Sequence, residues 1–92
     1  MLREEVEKRL SQLKGWKLLE GTLEKNYKFR DFKQAVEFIN RVADVAETQN
    51  HHPDILLWSW NNLRLTITTH SIKGLSENDF ILASSIDRIK LG

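Results

Sequence analysis

Leu63, Leu65, Ile67 and Thr69 alternate strictly with Arg64, Thr66, Thr68 and His70. Side chains along a strand point to opposite faces in turn, so this stretch reads as a strand with one apolar and one polar face. Leu23, Lys25, Tyr27 and Phe29 repeat the pattern against Glu24, Asn26 and Lys28. Each alternating stretch follows a turn signal and another strand candidate. Residues 16–20 precede Gly21-Thr22, and residues 54–60 precede Asn61-Asn62, where Asn tolerates the positive φ of a two-residue turn. Two β-hairpins are therefore expected. Each has an apolar face that something else must cover.

Three helical patterns can supply the cover. Leu2, Val6, Leu10 and Leu13 recur at helical spacing until Gly15. Asp31 opens a second helix, with Gln34 three residues on in the form of a capping box. Its stripe is Phe32, Ala35, Val36, Ile39, Ala43 and Ala46, widened by Phe38, Val42 and Val45. This helix should reach about Thr48, because Pro53 disfavours helical geometry at His52. After a loop at residues 71–75, Ser76-Glu77-Asn78-Asp79 forms a second box-like cap, and Leu82, Ile86 and Ile89 carry the last helix. The order is α-β-β-α-β-β-α. It predicts an α+β fold: a four-stranded antiparallel sheet with three helices packed on one face, residues 1–92 forming one domain.

Charge and composition narrow the function. A formal net charge of +1 offers no electrostatic footprint for nucleic acid or an anionic membrane surface. The longest apolar run, Ile55-Leu56-Leu57-Trp58, falls far short of the ~20 residues of a membrane span. Glu4 and Glu5 stand where an export signal would be apolar, so a cytoplasmic protein is expected. Without cysteine there is no disulfide, thiolate ligand or thiol nucleophile. Any chemistry rests on His, Asp, Glu and Trp.

The three histidines, His51, His52 and His70, lie within twenty residues of one another. The pair precedes one hairpin strand and His70 ends its partner, roughly opposite residues 53–54 if the turn is Asn61-Asn62. The imidazoles should thus converge at one end of the sheet. Accidental proximity, a three-histidine metal site and metal-free acid–base chemistry all remain open. Against the metal stands the adjacency of His51 and His52, whose side chains point in diverging directions. Imidazole titrates near neutrality and suits proton transfer.

Glu47-Thr48-Gln49-Asn50-His51-His52-Pro53, then six residues, Trp60, nine residues, His70, eight residues and Asp79, resembles the signature of the pterin-4a-carbinolamine dehydratases. One member of that family doubles as a dimerization cofactor of a homeodomain transcription factor. Gly15-Trp16, Phe29-Arg30-Asp31-Phe32, Thr68-Thr69-His70, residues 74–79 and Leu82-Ala83 extend the likeness across most of the chain. The resemblance implies the same four-stranded fold. It also implies dehydration of 4a-hydroxytetrahydropterins to quinonoid dihydropterins, which regenerates the pterin of aromatic amino-acid hydroxylases. Neither a metal nor an organic cofactor is implied. His51 and His70 match positions with acid–base roles, and His52 the one that mainly holds substrate.

The other signature residues have competing readings. Asp79 is either the capping partner of Ser76 or part of the site. Glu47 either ends a helix or orients an imidazole one turn later. Pro53 shapes the loop that presents the histidines. Trp60 is hydrophobic wall or, alternatively, a platform for the flat pterin. Two departures stand out: Asn50 replaces an acidic residue of some relatives, and six residues separate Pro53 from Trp60 where many have five. Rival functions are a non-enzymatic dimerisation or binding module of the same fold, and an enzyme acting on another pterin, linked to molybdopterin. Open sheet edges, a small core and the resemblance all point to a homo-oligomer, a dimer or tetramer.

Overall fold

The computed structural model describes residues 1–69 and 74–91. The elements are α1 (Arg3–Ser11), β1 (Lys17–Leu19), β2 (Thr22–Lys28), α2 (Phe32–Gln49), β3 (Asp54–Trp58), β4 (Asn62–Ile67) and α3 (Glu77–Asp87). The strands form one antiparallel sheet in the order β1-β2-β4-β3. Alternation decides its faces. Leu23, Leu63, Leu65 and Ile67 are fully buried, while Arg64 of the opposite face reaches across to Asn26. Phe38, Val42 and Ala46 of α2 and Phe80, Leu82, Ala83 and Ile86 of α3 close over the apolar face, with Val6 and Leu10 of α1 at the margin. Each fully buried leucine or isoleucine contributes about 1.5–3 kcal/mol, which makes β4 the anchor of the sheet. The expected element order and fold class are both observed.

Local details depart from the sequence reading, each for a physical reason. The first turn is Glu20-Gly21, one residue earlier than expected, because Leu19 pairs with Thr22 and both turn residues have positive φ. In the second hairpin Trp58 pairs with Asn62, so Ser59, Trp60 and Asn61 form the connection. Positive φ falls on Ser59 and Trp60 rather than on the asparagines. Asn61 is buried because it bonds across to β2: its carbonyl accepts the Phe29 N–H at 2.8 Å and its Nδ2 donates to the Phe29 carbonyl at 2.9 Å. That long-range pair draws the turn toward the start of the hairpin. Asp54 consequently lies opposite Thr66, and the register counted from an Asn61-Asn62 turn is displaced.

Asp31 caps α2 by accepting the Gln34 N–H at 2.8 Å. That bond, followed by Arg30, holds its carboxyl below the usual range. The return limb of the box lands one residue early, on the Arg30 N–H. The helix buries Ala35, Phe38, Val42 and Ala46 and exposes Phe32 and Ala43, so its core stripe is rotated from the expected one. Helix α3 ends at Asp87, before Ile89.

Asp87 ties the ends of the fold together. Its carboxylate accepts the Lys14 N–H at 2.9 Å, Trp16 Nε1–H at 2.9 Å and Lys25 Nζ at 3.0 Å. Its side chain is only 7% exposed. Lys25 points to the helix-covered face beside Leu23 and Tyr27, and its ammonium lies over the Tyr27 ring. Tyr27 Oη is buried with no partner among the described residues; desolvation, reinforced by Asp87, raises the phenol well above its ordinary pKa. Removing the carboxylate strands a largely buried ammonium and two N–H donors. Asp87→Ala should therefore lose about 3 kcal/mol of unfolding free energy in urea. Glu7→Ala, which breaks an exposed pair with Arg3, should leave the midpoint nearly unchanged.

Candidate active site

The site begins where α2 stops. Asn50 takes a left-handed conformation at φ 49, and the His51 N–H returns to the Ala46 carbonyl at 3.1 Å. This is the hydrogen-bonded closure of a left-handed helix end. Asn and Asp are the non-glycine residues that adopt it most readily, which suits the asparagine at this position. The chain then passes through Pro53 directly into β3, so both histidines sit on a short, geometrically restricted loop.

The adjacent imidazoles diverge. His51 turns inward, with a side chain 17% exposed, and its Nε2 lies 2.5 Å from Asp79 Oδ1 in the first turn of α3. His52 turns outward to the Glu47 carboxylate on its own helix, and both are exposed. Glu47 therefore does hold an imidazole, but that of His52 rather than the His51 one turn away.

Asp79 is completely buried. Its two oxygens are divided between two tasks. Oδ2 accepts the Ser76 N–H at 2.7 Å and the Thr69 hydroxyl at 2.9 Å. The first of these belongs to the capping box of α3. Oδ1 faces His51. The capping contact thus falls on Oδ2 and the contact with His51 on Oδ1. Donors on both oxygens compensate the loss of water around a buried carboxylate. Facing an ionised carboxylate, which only accepts, Nε2 of His51 would carry the proton and leave Nδ1 as the other ring nitrogen.

Pro53 lies beside this cluster in sequence and leads into β3. Trp60 does not join it: five-residue β3 separates them, a span of roughly 16 Å. Trp60 is 62% exposed at the opposite end of the hairpin. His70 lies outside the described residues, as do residues 71–73 of the expected loop. Sequence reasoning quoted Thr69 only within Thr68-Thr69-His70 and missed its hydroxyl contact with the carboxylate. The Ser76-x-x-Asp79 spacing was a legible signal for the cap; the contact of Thr69 with Asp79 spans ten residues, and no local spacing rule marks it.

Fold and site together define a class: a small α+β protein whose helix-end histidine is held by a buried carboxylate, an arrangement suited to moving protons. A family model described as pterin 4 alpha carbinolamine dehydratase matches residues 1–89. A protein of Rubrobacter xylanophilus that carries the pterin-4-alpha-carbinolamine dehydratase name is 45% identical over 87 residues, 94% of this chain and 80% of that one. A Vibrio cholerae protein of the same name is 48% identical over 90 residues, 94% of this chain and 82% of the relative. The crystal structure of a transcriptional coactivator/pterin dehydratase from Brucella melitensis superposes with a TM-score of 0.87 at 30% identity, covering 94% and 93% of the two chains. The chain belongs to the pterin-4a-carbinolamine dehydratase family, a family of lyases.

Proposed function

We propose that this protein dehydrates a 4a-hydroxytetrahydropterin to the quinonoid dihydropterin, recycling the pterin used by aromatic amino-acid hydroxylases. The reaction breaks the C4a–O bond, releases the hydroxyl as water and removes the N5 proton, leaving a C4a–N5 double bond. It needs one proton donor and one acceptor. The observation that carries the reading is the inward His51 imidazole on buried Asp79. With Nε2–H donated to the carboxylate, the Nδ1 lone pair suits the base that takes the N5 proton, and Asp79 stabilises the imidazolium so formed. His70, whose signature position carries an acid–base role, is left as the acid for the departing hydroxyl once His51 is taken as the base. His52, exposed and paired with Glu47, serves to hold substrate.

A binding module has no use for an imidazole fixed on a buried carboxylate, and a net charge of +1 gives no support to direct DNA contact. Among the described residues no helix is long and apolar enough to cross a membrane. The purified protein should accelerate loss of a 4a-hydroxytetrahydropterin over the uncatalysed rate, followed by absorbance. His51→Ala should lower kcat by roughly 10²–10⁴-fold. Near-native kcat in that variant would refute the mechanism.

The same reading includes self-association. Edge strand β3 exposes Ile55, Leu56 and Trp58, and α2 exposes Phe32. Among the described residues these edges carry apolar surface that native sheets seldom leave open. Light scattering at micromolar concentration should give a dimer or tetramer; a mass near 10.8 kDa would contradict it.

A further inference from the structure

Thr69 belongs to a motif matched in the sequence but given no task by the reaction. It lies just past β4, and its backbone is clamped: N–H to the Gly74 carbonyl at 3.0 Å, and carbonyl from the Gly74 N–H at 3.4 Å. The neighbouring Thr68 hydroxyl donates to the Gly21 carbonyl at 2.8 Å, fixing this end of the strand to the first hairpin turn. The side chain of Thr69 therefore leaves an anchored backbone. Its Oγ1 lies 2.9 Å from Asp79 Oδ2 and 2.7 Å from Ser76 Oγ.

We propose that Thr69 is a positioning residue for the dehydration, its hydroxyl aiming the Asp79 carboxylate and through it His51. The proposal rests on the dehydratase reading of His51. A carboxylate turns about the bond joining it to its Cβ unless donors from separate directions hold it. Ser76 N–H approaches Oδ2 from the α3 cap and Thr69 Oγ1–H approaches it from the strand. Ser76 Oγ, at 3.5 Å, is too distant to take over. Without the threonine hydroxyl the cap N–H is the only close donor left on Oδ2, and the plane of the carboxylate toward Nε2 is held less firmly. The base then loses its fixed direction while the binding surface for substrate is untouched. Displacing a reacting group by about an ångström costs up to ~10²-fold in rate.

The test compares Thr69→Val and Thr69→Ala, which delete the hydroxyl, with Thr69→Ser, which keeps it. Steady-state kinetics should show kcat reduced roughly tenfold to a hundredfold in the first two, with KM little changed. Thr69→Ser should restore most of the lost rate. Proton NMR supplies a readout independent of turnover. The short His51 Nε2–H···Asp79 bond should give a low-field resonance, absent in His51→Ala, displaced or lost in Thr69→Val and Thr69→Ala, and retained in Thr69→Ser. Native kcat in a folded Val or Ala variant, or equal loss in the Ser variant, overturns the proposal. So does failure of both deletions to fold beside a stable Ser variant, which would assign the hydroxyl to stability alone. If the unmutated protein shows no turnover, the dehydratase reading fails, while the resonance still reports whether Thr69 aims the pair.

Discussion

One buried carboxylate joins the fold to the proposed chemistry. Asp79 lies at the start of α3 with no solvent exposure, so both of its oxygens must find donors within the protein. One receives the amide that begins the helix and a threonine hydroxyl from the end of β4's chain; the other receives His51 from the end of α2. Helix start, strand end and helix end thus meet at a single group. Its burial is tolerable only because all three are in place. The imidazole is consequently oriented by the same contacts that hold α3 to the sheet.

A second carboxylate performs the corresponding task at the other end of α3. Asp87 gathers Lys14, Trp16 and Lys25, securing the connection from α1 to β1 and the middle of β2. The last helix is therefore pinned near both termini by buried acids, with Phe80, Leu82, Ala83 and Ile86 packed between them. Among the described residues only the first of the two acids meets an imidazole. Under the proposed reaction, similar burial serves structure in one place and proton transfer in the other.

Elements whose signals are local were legible in the sequence. Two-residue alternation marked Leu63, Leu65 and Ile67 as inward, and all three are fully buried. The Asp31 and Ser76 caps were legible because a cap is a contact between residues three apart. Features decided by distant partners were not. The bonds between Asn61 and Phe29 shift the second turn, and no window around residues 59–62 contains Phe29. The buried ridge of α2 centres on Phe38 and Val42 because the sheet selects the face; the helix alone offers an apolar arc too wide to choose within. At the site, the signature brought out His51 and Asp79 but not which oxygen does what. It also set Glu47 one turn before His51, whereas the divergence of adjacent side chains gives it to His52.

The central claim is that Asp79 contributes to turnover only through His51. A double-mutant cycle on kcat tests it most directly, using His51→Ala, Asp79→Asn and the pair together. The account predicts strong non-additivity: once His51 is gone, replacing Asp79 should cost little further activity. Losses that multiply in the double variant would mean that the two side chains act separately, and would contradict the account.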